Sequence, residues 1–552
     1  MIKVPSKQHI TDLAGLLRQH HVRHVVICPG SRNAPLIQAF QRDESFQCFS
    51  IVDERSAGYI ALGMAKQSGQ PAVVITTSGT AVLNLAPAVA EAYNQRIPLI
   101  VLTGDRPEEF PPQFTNQRIN QADVFAPNAV GSYQFGPEFK NRKALERCML
   151  NAAEVLRNGC LKNPGPVHFN FVLHEPLYEV VPLHLMTKIR IEDPRDAHVD
   201  SLFSDIDQSL IREHLSSQKK VLIIAGMANY GESSQKALEE IAARHQVAVI
   251  AENIANLHGP YVISTPELVL AAARGQEVKN LLPDLVIAIG GPVVSKRTRL
   301  FVQGLKDIPV LALEGNPETI LHLIHDGVSA GDKINNDYGK HWKSMEQSGA
   351  DIAEGYLEAA AFSNLTVIHK IINKIAPGTI VHLGNSGVVR YSQLFPARAD
   401  LFHFGNRGTS GIDGSLSTAV GAAMVSESNH LVILGDLSFM YDSNALWNKN
   451  FPSNLKIIIL NDKGGGIFRL LDGPDRMSFF REFSVTDHPF ETEHIFRAFG
   501  MNILTANSDN TLEEGLDTLF DHRSYITALE VNTSGSENSG IFKEFYKSIH
   551  NQ

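Results

Sequence analysis

The chain has 552 residues, of which 43% are hydrophobic and 20% charged, and a formal net charge of −10. Such a length exceeds one ordinary hydrophobic core, so about two to four domains are expected, and the composition excludes a disordered chain. The acid excess argues against nucleic acid as a bulk partner, so an anionic ligand would need a local cationic cluster. Four cysteines (Cys28, Cys48, Cys148, Cys160) lack metal-ligand spacing and read as reduced thiols. The opening MIKVPSKQHITDLAGLLRQHH has no apolar signal core, and no stretch approaches the roughly 18 uninterrupted apolar residues of a membrane span. A cytoplasmic protein with no membrane partner is expected.

In chain order, VRHVVICPGS predicts a strand running into a Pro-Gly turn. SFQCFSIVDERSAGYIALGMAKQSG reads as strand, turn and small-residue helix, and PAVVITTSGTAVLNLAPAVAEAYNQ repeats that order before the strand IPLIVLTGDRP. Repeated βα units imply a parallel sheet covered on both faces. The stretch from Tyr178 to about Asp200, rich in Pro, charge and His, reads as a linker. A second block follows with strands KKVLIIAGMAN, QVAVIAEN, PDLVIAIGGPV and IPVLALEGNP; its GMANYG is no GxGxxG, so a dinucleotide site has little support. A polar, helix-prone stretch near 340–363 leads to a third block with TIVHLGNSGVV, LFHFGNRGTSGIDGS, HLVILGDLS and LKIIILND. The residues after about Asn532 read as polar and partly loose. The expected fold is therefore α/β, with three doubly wound parallel-sheet domains over residues 1–180, 195–345 and 360–552.

The stretch from Leu431 to Phe468 carries the most chemistry. Two β-branched runs each end at an acid and a turn, the first at Asp436, the second at Asn461, Asp462 and three glycines. Adjacent parallel strands would bring Asp436 and Asp462 together outside their carboxyl ends, where open α/β sheets bind ligands. Two hard oxygen ligands beside exposed glycine backbone suit Mg²⁺ holding a diphosphate, although strand-end carboxylates also cap helices. Earlier in the chain, Glu54 begins a helix after the strand SFQCFSIV, where the macrodipole favours an acid.

The Asp436 arrangement resembles the thiamine diphosphate motif, with Gly435-Asp436-Leu437-Ser438 replacing Gly-Asp-Gly and Asn461-Asp462 replacing Asn-Asn. The resemblance implies Mg²⁺, with Mn²⁺ as an alternative, ligated by the Asp436 and Asp462 side chains and the Gly464 carbonyl. The Asp at 462 departs from that pattern and adds negative charge beside a diphosphate. Further segments narrow the likeness: ICPGSRN at 27–33, TSGT at 77–80, TGDRP at 103–107, NSGVVR at 385–390, NRGTSGIDG at 406–414 and GGGIF at 464–468. Together they resemble the MenD family, the menaquinone-pathway synthases of 2-succinyl-5-enolpyruvyl-6-hydroxy-3-cyclohexene-1-carboxylate, across the whole chain.

That resemblance implies a domain type shared with thiamine-diphosphate-dependent decarboxylases and carboligases: an N-terminal pyrimidine-binding domain, a central domain and a C-terminal diphosphate-binding domain. It implies a transferase that decarboxylates 2-oxoglutarate and adds the succinyl carbanion to isochorismate in a Stetter-like 1,4-addition. Glu54 would share a proton with the aminopyrimidine, and a low-dielectric surrounding would raise its pKa towards a usable value. The cofactor would be met by Glu54, Ser78, Asn385, Ser386, Ser410, Gly411 and Ile412, and by Asp436, Leu437, Ser438, Gly464, Gly465 and Ile467. Ile412 would be the wedge that bends it. Arg390 and Arg407, with Glu54, are the implied catalytic residues, and with Ser386 they would surround the part derived from 2-oxoglutarate. Ser31, Arg32, Arg106, Asn116, Gln117, Lys296 and Arg297 would meet isochorismate, while Ile467 and Phe468 would wall the reacting centre. Three substrate carboxylates need several fixed cations, and Arg is their best geometric partner. The family also implies a homodimer or homotetramer whose sites pair the N-terminal domain of one subunit with the C-terminal domain of the next. Two rivals remain open on the residues: a pyruvate-using thiamine diphosphate decarboxylase, which would want an apolar pocket at Arg390 and Arg407, and a catalytically silent cofactor-binding protein.

Overall fold

A computed structural model describes residues 3–108, 116–137, 139, 141–186, 205–328, 334–470, 476–521, 525–533 and 535–550. The chain divides into two compact units, one of Met1–Val199 with Gly408–Ser428 and Tyr441–Leu455, the other of Asp200–Arg407, Asn429–Met440 and Lys456–Gln552.

The first unit contains β1 (Lys3–Pro5), β2 (His24–Ile27), β3 (Gln47–Ser50), β4 (Ala72–Thr76), β5 (Leu99–Asp105), β6 (Gly131–Phe135), β7 (Val167–Val172) and β8 (Val180–Pro182). Six of them form a sheet in the order β3-β2-β4-β5-β7-β6, paired in parallel throughout. β4 and β5 are buried along their whole length, which is why they read as unbroken apolar runs. β6 and β7 escape that reading because polar residues interleave their apolar ones, as in GSYQF and VHFNFV. β1 pairs antiparallel with β8, so the start of the stretch read as a linker is tied into structure; the rest of that stretch, from residue 187 on, lies outside the described residues.

Helix Glu54–Ser68 starts at Asp53, whose carboxylate accepts from the Arg55 and Ser56 amides, and it stops at Gly69 in the left-handed region. It crosses helix Ser415–Met424 with backbone against backbone. A Cβ on Gly63 would sit 2.0 Å from the Thr418 carbonyl oxygen, and one on Gly421 would sit 2.0 Å from that of Ile60. No other residue type fits either position.

The second unit carries two parallel sheets. β9 (Val221–Ala225), β10 (Val247–Ile250), β11 (Val262–Ile263), β12 (Leu285–Ile289) and β13 (Val310–Ala312) run in the order β11-β10-β9-β12-β13. Val221 and Ile223 of β9 enter one core while Leu222 and Ile224 enter another, so helices cover both faces. β14 (Ile380–Leu383), β15 (Phe402–Phe404), β16 (His430–Gly435), β17 (Leu455–Asn461), β18 (Asn502–Ala506) and β19 (Ile526–Asn532) form the other sheet, ordered β15-β14-β16-β17-β19-β18. The helix-prone stretch near 340–363 is the helix Asp337–Ala359, whose Trp342 is fully buried.

One expectation fails. Residues Gly535–His550 form a helix, and its Phe545 and Ile549 join the core of the last sheet. The apolar residues Ile541, Phe542, Phe545, Tyr546 and Ile549 recur at helical spacing, so the polar intervening residues simply mark the outer face. Phe545→Ala should therefore destabilise the protein by about 3–5 kcal/mol, read as a lower denaturation midpoint; an unchanged midpoint would mean the terminal helix is not docked.

Candidate cofactor and substrate site

β16 and β17 are neighbours in their sheet and end at Gly435 and Asn461. Their following residues, Asp436 and Asp462, lie at its carboxyl edge with only 2% and 9% of their surface exposed. Asp436 accepts from the Leu437 amide through Oδ1 at 2.7 Å, and from the Gly464 amide through Oδ2 at 2.8 Å. His488 Nε2 lies 3.1 Å from the same Oδ2. The Asp462 carboxyl is pushed up to about 7, first by burial and then by the neighbouring charge of Asp436. Gly464 has φ +140°, and a Cβ at Gly466 would meet Asp462 Oδ2 at 1.8 Å, so this turn admits only bare backbone. Asn461 orders it from the other side, donating to Glu530 and accepting from the Lys463 amide at 3.0 Å.

In the same unit, Ser386 takes φ +73° and opens the helix Gly387–Ser392 that carries Arg390. Arg390 is half-buried and forms no ion pair with another described residue. Asn385 donates to the Asn406 carbonyl at 2.7 Å and accepts from Arg407 Nη1 at 2.8 Å, which brings the NSGVVR and NRGTSGIDG segments together. Ser295 caps the helix Lys296–Gln303, leaving Lys296 and Arg297 exposed in its first turn. Glu252, fully enclosed, accepts from the Val294 and Ser295 amides at 2.5 and 2.6 Å. Burial pushes its carboxyl up to about 7 against those bonds and the charge of Arg407. Arg297 is held by Glu267 at 3.4 Å and lies over the Tyr546 ring. Ile467 is half-buried and Phe468 exposed on the short helix Gly466–Leu470.

The first unit gathers the remaining residues. Glu54 is the first residue of its helix, and burial raises its carboxyl above the ordinary range. Ser31 is exposed on the turn before Arg32. Arg32 is buried, donates to the Leu173 carbonyl at 2.9 Å, and has its pKa lowered by burial and then by the charge of Arg106. The Nε atoms of both arginines and the Ser78 hydroxyl are buried with no hydrogen-bond partner among the described residues. Two guanidinium groups that repel one another beside unsatisfied donors suit an anion.

Beneath them runs a polar network. Gln121 accepts from the Gly79 amide at 2.9 Å and donates to Asn170 Oδ1 at 2.9 Å, and Asn170 in turn donates to Asp105 at 2.8 Å. In TNQRINQ, then, Gln121 of the second Asn-Gln pair is buried, whereas Asn116 and Gln117 are exposed. Ser410 has φ +60° in an exposed turn that continues through Gly411 and the half-buried Ile412. Glu91 and His488 escaped the sequence reading. Glu91 left a trace, as the one charge in the small-residue run APAVAEAYNQ; nothing in the local pattern marks His488.

Residues 10–124 match the thiamine pyrophosphate enzyme N-terminal TPP binding domain, and residues 384–528 match the C-terminal TPP binding domain. Over 525 residues the chain is 38% identical to the 2-succinyl-5-enolpyruvyl-6-hydroxy-3-cyclohexene-1-carboxylate synthase of Desulfotalea psychrophila, covering 93% of this chain and 96% of that one. Proteins of the same name from Flavobacterium johnsoniae and Bacteroides thetaiotaomicron are 33% and 32% identical, with 96% of both chains and 99% of both chains covered respectively. The chain belongs to this synthase family. It is a thiamine-diphosphate-dependent enzyme of the transferase or carboligase type, in a family of menaquinone biosynthesis. Among the described residues no helix is long and apolar enough to cross a membrane.

The residues fit what such a synthase requires. The glycine turn at 464–466 leaves a cradle that any Cβ would fill, and two adjoining buried acids, one pushed up by burial and then by its neighbour, present donors suited to a hard cation. The burial of a third acid gives a direct check. Asp442 is fully buried, accepts from the Ser417 amide and hydroxyl at 2.7 and 2.6 Å, and is raised to about 7 by burial, against those bonds and the charge of Arg55. Its folded pKa lies above its unfolded one, so its contribution to stability is complete below about pH 4 and lost as pH rises to about 7. The melting temperature of wild type relative to Asp442→Asn should fall across that window and level off above it; parallel curves would mean an ordinary carboxylate.

Proposed function

We propose that this enzyme decarboxylates 2-oxoglutarate and adds the resulting succinyl group to isochorismate in a Stetter-like 1,4-addition, releasing CO₂. Supporting this reading most directly is Arg390, a half-buried guanidinium without an ion-pair partner among the described residues, one turn into the helix that Ser386 opens. A pyruvate-using enzyme has no use for a cation there, whereas the distal carboxylate of 2-oxoglutarate does.

Thiamine diphosphate, when bound, supplies the electron sink that carbon–carbon bond cleavage needs. Asp436, Asp462 and the Gly464 carbonyl would hold Mg²⁺ or Mn²⁺, with Leu437, Ser438 and Gly465 lining the diphosphate and Asn385 beside it. Glu54 would hold and return a proton at its carboxyl, a task eased by the upward shift that burial imposes. Ser78, Ser410, Gly411 and Ile412 would shape the remaining contacts to the coenzyme. Ser386, Arg390 and Arg407 would hold the 2-oxoglutarate carboxylates. Ser31, Arg32, Arg106, Asn116, Gln117, Lys296 and Arg297 would receive isochorismate, and Ile467 and Phe468 would screen the centre from water. Residues 1–180 would act as the pyrimidine-binding domain and 360–552 as the diphosphate-binding domain, with 195–345 between them. We place the enzyme in the cytoplasm as a homodimer or homotetramer, with sites shared between subunits.

Incubation with thiamine diphosphate, Mg²⁺, 2-oxoglutarate and isochorismate should release CO₂ and yield an adduct of the corresponding mass; CO₂ without adduct would refute the second substrate. Glu54→Gln should lower turnover by about 10²–10⁴-fold while leaving coenzyme affinity nearly intact, and near-normal turnover would remove Glu54 from proton transfer. Arg390→Ala should impair 2-oxoglutarate use far more than any residual pyruvate use; equal losses would favour the pyruvate enzyme. Activity measured across size-exclusion fractions should be confined to oligomers, and a fully active monomer peak would refute the shared site.

A further inference from the structure

We propose that Glu91 is a positioning residue that holds the Ser410–Gly411–Ile412 turn in shape by binding the backbone just before it. The proposal rests on the reading that this turn contacts thiamine diphosphate. Glu91 lies on helix Ala86–Gln95 and is 0% exposed. Its Oε1 accepts from the Gly408 amide at 2.8 Å, and its Oε2 from the Thr409 amide at 2.7 Å and the Thr409 hydroxyl at 2.5 Å. Gln95 donates to Oε1 as well, so four donors converge on one buried carboxylate. An acid so deeply enclosed is tolerated only when its lone pairs are satisfied in this way.

The clamp is anchored from behind. Lys66 donates to Gln95 at 2.8 Å, and its ammonium is pulled down to about 8 by burial despite the opposing charge of Glu91. On the far side of the turn, the Tyr59 hydroxyl donates to Asp413 at 3.1 Å. Lys66 and Tyr59 both belong to helix Glu54–Ser68. The turn at 410–412 is thus tied at both ends to the helix that begins with Glu54. Ser410, the first residue released from the clamp, is the one at φ +60°, a conformation that a free loop would not keep by itself.

The test uses the full-length protein as Glu91→Gln, which keeps size but loses the charge and one acceptor, and as Thr409→Val, which removes a single donor. Amide hydrogen exchange at Gly408 and Thr409 in coenzyme-free protein should speed up about tenfold or more in Glu91→Gln, and the thiamine diphosphate Kd should rise by a similar factor. Thr409→Val should shift both in the same direction by less, and it carries the test should Glu91→Gln fail to fold. A merely structural role would lower Tm while leaving exchange at these amides and coenzyme affinity unchanged below Tm, and that result in both variants overturns the proposal. Wild-type protein that binds no thiamine diphosphate would overturn the coenzyme reading of the turn instead, with the exchange arm still deciding whether Glu91 holds it.

Discussion

The crossing of helices Glu54–Ser68 and Ser415–Met424 is the constraint on which the first unit's arrangement depends. Gly63 and Gly421 each face a carbonyl oxygen of the other helix, so the two backbones touch without side chains between them. Ser56 and Ser417 add a hydroxyl contact of 2.8 Å across a separation of 361 positions in the chain. Such a contact fixes both rotation and translation, because any larger residue would force the helices apart. One helix starts with Glu54, and the other follows directly on the turn at 410–412. Their geometry is therefore set together, and Glu91, Tyr59 and Asp442 extend the same restraint to the loops around them.

In the second unit the organising interaction is electrostatic. Asp436 and Asp462 stand side by side at the carboxyl edge of the sheet, and burial, reinforced by the charge of Asp436, keeps Asp462 well above a normal carboxylate. Burying two neighbouring acids is unfavourable unless a cation compensates them. The proposed divalent ion would supply that compensation. The chain's overall excess of acid makes the placement of its cations equally telling. Arg32 and Arg106 share one edge of the first sheet, while in the other unit Arg407 is bonded to Asn385 and Arg390 lies on the helix that follows it. An anionic ligand needs such local reversals of a negative field.

Strand runs that are buried on both faces were readable directly. β4, β5, β9, β16 and β17 are apolar segments ending in turn residues, and the endings of β4, β5, β16 and β17 put Ser78, Arg106, Asp436 and Asp462 at sheet edges. β6, β7 and β18 were not readable, since polar residues interleave their apolar ones, in β7 even though the strand is almost wholly buried. The terminal helix does not read as ordered because its opening GSENSG carries no apolar residue, although Phe545 and Ile549 further on lie in the core.

The sequence by itself determined the chemistry available: the acids at strand ends, the glycines that bring backbone close to a ligand, and the order of motifs that places the chain in its family. The acids and glycines are local features, each set within one turn of chain, and the motif order needs only the linear sequence. Tertiary structure alone decided which groups support them. Glu91 reaches Gly408 across 317 positions, Glu252 reaches Ser295 across 43, and Gln121 reaches the Gly79 amide across 42. No periodicity encodes such pairings, since a buried polar group finds its partner only when the packed fold closes around it.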